Sequence, residues 1–175
     1  AVNQATTDNG TTPLLIAAVQ GHAKVVRLLI DGGASVNQAM RNSGEAPLFV
    51  AAAKGHAEVA GLLVGGGAAV NQATTDYGFT PLFVAAQEGH ADVVSLLIGG
   101  GAAVNQTTTD NYGTTPLYVA AVKGYEEVVR LLIGGGAAIN QVTTDYGFTS
   151  LHVAAQNGYI EVVRSKPGDD GLWVH

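Results

Sequence analysis

The chain contains no cysteine and only one methionine and one tryptophan among its 175 residues. Without thiols there can be no disulfide and no thiolate nucleophile, and the commonest structural zinc sites are excluded. The same absence favours a reducing compartment such as the cytoplasm without fixing it. Charge is scarce as well: 13% of residues are charged, with eight basic against fourteen acidic, for a net charge of −6. A surface that grips phosphates needs clustered cations, so nucleic acid is not an expected partner. No apolar run reaches the length needed to cross a bilayer and no charged-then-apolar leader opens the chain, so no membrane association is expected. Proline is also rare, but four of the five prolines keep a rhythm.

They fall at Pro13, Pro47, Pro81 and Pro116, with Ser150 where the next belongs, giving steps of 34, 34, 35 and 34 residues. Gly21, Gly55, Gly89, Gly124 and Gly158 keep the same register, as do Asn3, Asn37, Asn71, Asn105 and Asn140. Self-similarity at this period signals a solenoid whose units bury their apolar faces only against neighbours. With 47% of its residues hydrophobic, the chain is expected to be ordered throughout.

The unit from Thr74 to Gln106 shows the internal plan. Thr80-Pro81 starts a helix, with a capping hydroxyl followed by a proline whose missing N–H costs nothing there. Leu82, Ala85 and Ala86 share one narrow face, the alanines allow close approach of a neighbouring helix, and Gly89 ends the helix. A second helix follows, with Val93, Val94, Leu97 and Ile98 inward and Asp92 and Ser95 outward. Gly99 to Gly101 stop it, and a short extended piece around Val104 leads to a turn of the Asp76-Tyr77-Gly78 kind.

The order TPL, two alanines, GH, VV, LL, GA and VN resembles ankyrin repeats, over residues 1 to about 164. The resemblance implies an all-α solenoid of helix-turn-helix units with short β-hairpin-like loops. The units run roughly over 4–37, 38–71, 72–105, 106–140 and a truncated 141–164, followed by a non-repeat tail at 165–175. This sequence departs from the family in two ways. The steps Asn71 to Pro81 and Asn105 to Pro116 are one and two residues longer than the usual hairpin. The histidine after TPL survives only as His152, with Leu15, Phe49, Phe83 and Tyr118 elsewhere, so imidazole bonds between repeats are expected to be mostly replaced by apolar contact. Repeat two is irregular: Ala46 replaces the capping threonine, Arg41 and Glu45 bring charge, and Gly61 weakens its second helix by roughly 1 kcal/mol relative to alanine. The opening Ala1-Val2-Asn3-Gln4 matches Ala69-Val70-Asn71-Gln72 in mid-period, and with no initiator methionine the sequence reads as an excerpt of a longer protein. Past Arg164 the repeat breaks off at Pro167, and Leu172, Trp173 and Val174 are expected to fold back over the open end.

Candidate chemistry is sparse. His22, His56 and His90 recur one per layer, and layers about 8–10 Å apart cannot share a metal at about 2 Å. The GGGA runs at Gly65, Gly99 and Gly134 lack the Lys-Ser or Lys-Thr and the following helix of a phosphate loop. Asp8, Asp76, Asp110 and Asp145 read as turn formers bonded to their own backbone rather than as paired acids. Lys24, Arg27, Arg130 and Arg164 belong to a solvated outer face. No enzyme, cofactor or metal site is expected.

What remains is the surface. In ankyrin-like proteins the hairpin tips and first helices form a concave groove, and residues there that the fold does not dictate choose the partner. The resemblance carries that role to Tyr77, Phe79, Glu88, Asn111, Tyr112, Lys123, Tyr146, Phe148 and Gln156. Tyr77, Phe79, Tyr112, Tyr146 and Phe148 make an aromatic stripe bordered by Asp76, Glu88, Asp110 and Asp145, suited to a protein or peptide carrying Lys or Arg beside apolar residues. The plainer reading is that the rings pack sideways to stiffen the hairpins. A second function class, a structural array with weak end-to-end self-association, follows from near-identical repeats without a polar capping repeat at either end.

Overall fold

The computed structural model describes residues 2–144 and 147–160. Asp145, Tyr146, Arg164 and the tail expected to fold back through Leu172, Trp173 and Val174 lie outside those residues. Among the described residues there are nine helices and no strand: α1 Pro13–Val19, α2 Ala23–Asp31, α3 Pro47–Ala53, α4 Ala57–Gly65, α5 Pro81–Glu88, α6 Ala91–Gly99, α7 Pro116–Lys123, α8 Glu126–Gly134 and α9 Ser150–Asn157. The first helices α1, α3, α5, α7 and α9 stack in series as one layer, and α2, α4, α6 and α8 form a second. Each helix pair is one repeat.

The first helices begin as the sequence dictates. The hydroxyls of Thr12, Thr80, Thr115 and Thr149 accept from the backbone N–H three residues on, at 3.1–3.3 Å. Ala46 at the start of α3 has no such bond. Pro13, Pro47, Pro81 and Pro116 occupy the first helical turn. In repeat five Ser150 takes that place, 1% exposed, and its hydroxyl has no hydrogen-bond partner.

Leu14, Leu48, Leu82 and Leu117 are sealed between layers, as are Leu63, Leu97 and Leu132 of the second helices. Each such side chain is stabilised by about 1.5–3 kcal/mol through burial. Paired alanines, Ala51 with Ala52 and Ala85 with Ala86, are fully buried and keep the backbones close. Val93, Val94 and Leu97 face inward as expected, while Ile98 is half-buried and lies against Gly135 of the next repeat. Leu15, Phe49 and Phe83 bury the position that follows TPL.

Two expectations need correction. The segment around Val104 is a tight turn rather than an extended piece, with the N–H of Gln106 donating to the Ala103 carbonyl at 3.2 Å. The expectation that apolar contact replaces imidazole bonds holds at the position after TPL but is incomplete, because two junctions take an imidazole bond from another position. His56 Nε2 lies 3.1 Å from the Val19 carbonyl and His90 Nε2 3.2 Å from that of Ala53, each in the preceding repeat. The rings lie flat over the helix-ending glycines of that repeat. Gly55 has φ +73°, and a Cβ added to it would sit 2.6 Å from His90 Nδ1, so both backbone and space demand glycine.

Asparagine supplies a second fastener. The amides of Asn3, Asn37, Asn71 and Asn105 each donate to a glycine carbonyl in the next unit, of Gly33, Gly67, Gly101 and Gly136. Each also accepts from the N–H two residues further on, of Ser35, Ala69, Ala103 and Ala138, at 2.7–2.8 Å.

The two irregular helix starts should be improvable independently. Ser150→Pro removes an orphaned buried hydroxyl and pre-sets the backbone, and Ala46→Thr restores a cap. Each is expected to raise stability by about 1 kcal/mol, read as a higher denaturation midpoint in urea at unchanged slope.

Candidate functional site

The hairpin tips are built from threonine and aspartate outward. In repeat three the Thr74 N–H donates to the Phe79 carbonyl at 2.9 Å and the Thr74 hydroxyl accepts from the Phe79 N–H at 3.1 Å. The enclosed loop turns at Asp76, whose carboxylate accepts from the Tyr77 N–H at 2.7 Å. Repeat four closes over one more residue, Thr108 to Thr114, and Asp110 absorbs the extra length. Its carboxylate accepts from the Thr108 hydroxyl at 2.6 Å and from the N–H groups of Tyr112 and Gly113 at 3.1 Å. In repeat five the Thr143 N–H donates to the Phe148 carbonyl at 2.8 Å. Asp76 and Asp110 are thus turn formers, and in repeat one Asn9 fills that part, its Oδ1 accepting from the Thr6 hydroxyl at 2.9 Å and from the Thr11 N–H at 3.3 Å.

Main-chain bonds string successive tips together. The N–H groups of Arg41, Thr75, Thr109 and Thr144 donate to the carbonyls of Asn9, Ser43, Tyr77 and Tyr112 in the preceding tip, at 2.8–3.0 Å. This ladder holds Tyr77 and Tyr112 on adjacent tips with their rings 52% and 56% exposed. Phe148 follows at 41%, its ring edge-on to His152 with centroids 5.7 Å apart. Phe79 differs. It is half-buried, stacked on the buried Phe83 at 4.7 Å and topped by Tyr77 at 5.4 Å, a column of three rings rooted in α5.

Glu88, Lys123 and Gln156 are exposed at the far ends of α5, α7 and α9. A helix of eight residues is about 12 Å long, so the residues singled out from the sequence fall into two rows. The tip row holds Tyr77, Phe79, Asn111, Tyr112 and Phe148; Asn111 is exposed beside Tyr112. The helix-end row holds Glu88, Lys123 and Gln156, preceded in repeat two by the exposed Lys54. Charge alternates in sign along the helix-end row. The acidic character is therefore concentrated at the tips, with Asp76 and Asp110.

The Asp76 carboxyl is held below the usual carboxylate value, first by the Thr74 hydroxyl and then by the Tyr77 N–H. Asp8 is lowered likewise, by Thr6 and the Asn9 N–H. On the opposite layer, shallow hollows lie between second helices where glycine leaves no side chain, beside Arg27, Asp31 and Gly66, and beside Arg130 and Gly135. Lys24, Arg27 and Arg130 are solvent-exposed there, Arg130 paired with Glu127. Among the described residues no group of three His, Cys, Asp or Glu is placed to hold a metal ion. No described helix is long and apolar enough to cross a membrane.

A family model described as ankyrin repeats, in three copies, matches residues 1–74, 38–108, 62–143 and 103–165. The chain belongs to the ankyrin repeat family. None of the curated proteins compared with it matches. Ankyrin repeats are generally non-catalytic modules that bind other proteins. Sequence reasoning used Asn3, Asn37, Asn71 and Asn105 only as period markers and missed their clamping role, although an amide recurring once per layer is the signal that such a clamp leaves.

Because the folded-state value of Asp76 lies below its unfolded one, its contribution to stability is present above the unfolded value and lost as pH falls through the folded one. Thr74→Val removes the main cause. The Asp76 titration midpoint, followed by carboxyl NMR, is expected to move up towards the ordinary value; an unmoved midpoint would show that the hydroxyl is not responsible.

Proposed function

We propose that this ankyrin array is a non-catalytic recognition module that grips a partner protein or peptide across its tips and first helices. The observation that carries the reading is the exposure of Tyr77, Tyr112 and Phe148 on successive tips held in line by main-chain bonds. Burying a large ring that can occupy few rotamers gives much contact area at low entropic cost, and the tyrosines keep a hydroxyl to orient a ligand. Tyr77 leans on Phe79 and Phe148 on His152, yet each still presents a large part of its surface to water. Phe79 acts chiefly by supporting Tyr77 from below. Tyr146 would extend the stripe into repeat five.

The neighbouring carboxylates of Asp76 and Asp110 set the ligand's charge. A segment with Lys or Arg flanking an aliphatic or aromatic residue matches the tip row, and its approach would be accelerated at low ionic strength. Glu88, Asn111, Lys123 and Gln156 serve as the second row, reached only by a ligand that spans the length of the first helices. The module does not transform what it holds.

Panning a displayed random-peptide library against the chain tests this. Enriched peptides are expected to combine basic and apolar residues and to bind more weakly as salt rises. Tyr77→Ala and Tyr112→Ala should each weaken binding by about tenfold or more, with the melting temperature nearly unchanged because both rings are exposed. Peptides bound equally well by the double variant would refute the tip row as the site.

A further inference from the structure

The C-terminal ends of the first helices carry a charged side chain only in the three middle repeats. Lys54, Glu88 and Lys123 stand at the same position after Pro47, Pro81 and Pro116, where repeats one and five have the neutral Gln20 and Asn157. All three are exposed, and α3, α5 and α7 lie side by side in one layer, so the charges form a line that reads positive, negative, positive. No side chain of the three makes an ion pair or hydrogen bond with another described residue. The helix ends do not account for the alternation. The C-terminus of a helix carries partial negative charge, which favours Lys123 on α7 and disfavours Glu88 on α5.

Neighbouring helices of one layer are about 8–10 Å apart, which sets the step between these charges. A polyproline II segment has three residues per turn, so every third side chain falls on one face about 9 Å further on. A β-strand turns residues three apart to opposite faces, and an α-helix needs seven residues and about 10.5 Å to return to the same face.

We propose that this row takes an extended, polyproline II segment of a partner protein that carries an acidic residue, a basic residue three positions on and a second acidic residue three positions beyond that, opposite Lys54, Glu88 and Lys123 in turn. The inference rests on the reading of the first helices as part of the ligand surface and adds the register which that reading lacks. A uniformly basic segment, which the tip carboxylates of Asp76 and Asp110 attract, gains at Glu88 and is opposed at Lys54 and Lys123. The second row therefore discriminates among ligands that the first accepts.

Panning the displayed random-peptide library against the wild-type chain and two variants tests this. The wild type is expected to enrich acid-x-x-base-x-x-acid, with proline common between the charges. Lys54→Glu combined with Glu88→Lys and Lys123→Glu should enrich the reverse, base-x-x-acid-x-x-base. Glu88→Lys alone should enrich three acids at the same spacing without a lower melting temperature, because the helix end favours the new cation. Peptides selected on the wild type should bind the triple variant about tenfold or more weakly. The same peptides enriched on all three proteins, charges seven residues apart, or charges without a period, as expected if the row faced only solvent or a second copy, would each overturn the proposal. Peptides that ignore the reversal but are lost with Tyr77→Ala and Tyr112→Ala would overturn it and leave the tip row standing. Peptides that follow the reversal but ignore the tyrosines would sustain it and count against the tip row.

Discussion

Helices of seven to nine residues are too short to persist in water by themselves, because nucleation consumes more free energy than so few propagated bonds return. Every element here therefore depends on the contact between one repeat and the next. The apolar part of that contact pairs a leucine and two alanines on one surface with valines on the other. Alanine matters as much as leucine: at Ala51, Ala52, Ala85 and Ala86 it leaves the backbones near enough for other fasteners to reach across. Enlarging one of these residues would push apart the layers it joins.

Those fasteners are directional where the apolar contact is not. Apolar packing alone would tolerate some rotation of one repeat over another. The asparagine clamp, with one donor and one acceptor on the same amide, fixes the loop side of each junction. The imidazole of His56 or His90 fixes the turn between the helices, and the tip ladder fixes the hairpins. At the first two junctions three polar ties at separated points define an orientation, and the tip ladder continues through every later junction. In repeats four and five tyrosine replaces histidine at the ring seat, and Tyr125 and Tyr159 keep the cover over Gly89 and Gly124.

The helix starts and tip turns were legible in the sequence because each is set by interactions within about ten residues, and the period, alanine faces and glycine stops because they recur in register. Thr80 with Phe83 and Asp76 with Tyr77 are bonds of that kind. The His56 bond joins residues 37 apart and the Asn37 clamp residues 30 and 32 apart, so neither partner can be named until the stack is built. Ser150 shows the same limit from the other side. The sequence marks it as a missing proline, but only packing reveals a buried hydroxyl without a partner. At the candidate site, the grouping of tip aromatics was legible. The rooting of Phe79 on Phe83 was not, nor was the separation of Glu88, Lys123 and Gln156 into a second row.

The tip ladder explains why the tips can differ at all. Its acceptors are the carbonyls of Asn9, Ser43, Tyr77 and Tyr112, four residues of three side-chain types making one and the same main-chain bond. The fold takes the carbonyl from this position every time, while the side chain serves its own tip differently: Asn9 and Ser43 accept hydrogen bonds within theirs, and Tyr77 leans on Phe79. Thr74, Thr108 and Thr143 at the tip base are buried and bonded through their hydroxyls, whereas repeat two carries Met40 there and keeps only the main-chain bond. Where geometry is carried by the backbone, the summit side chain can change from repeat to repeat without altering the bond that joins one tip to the next.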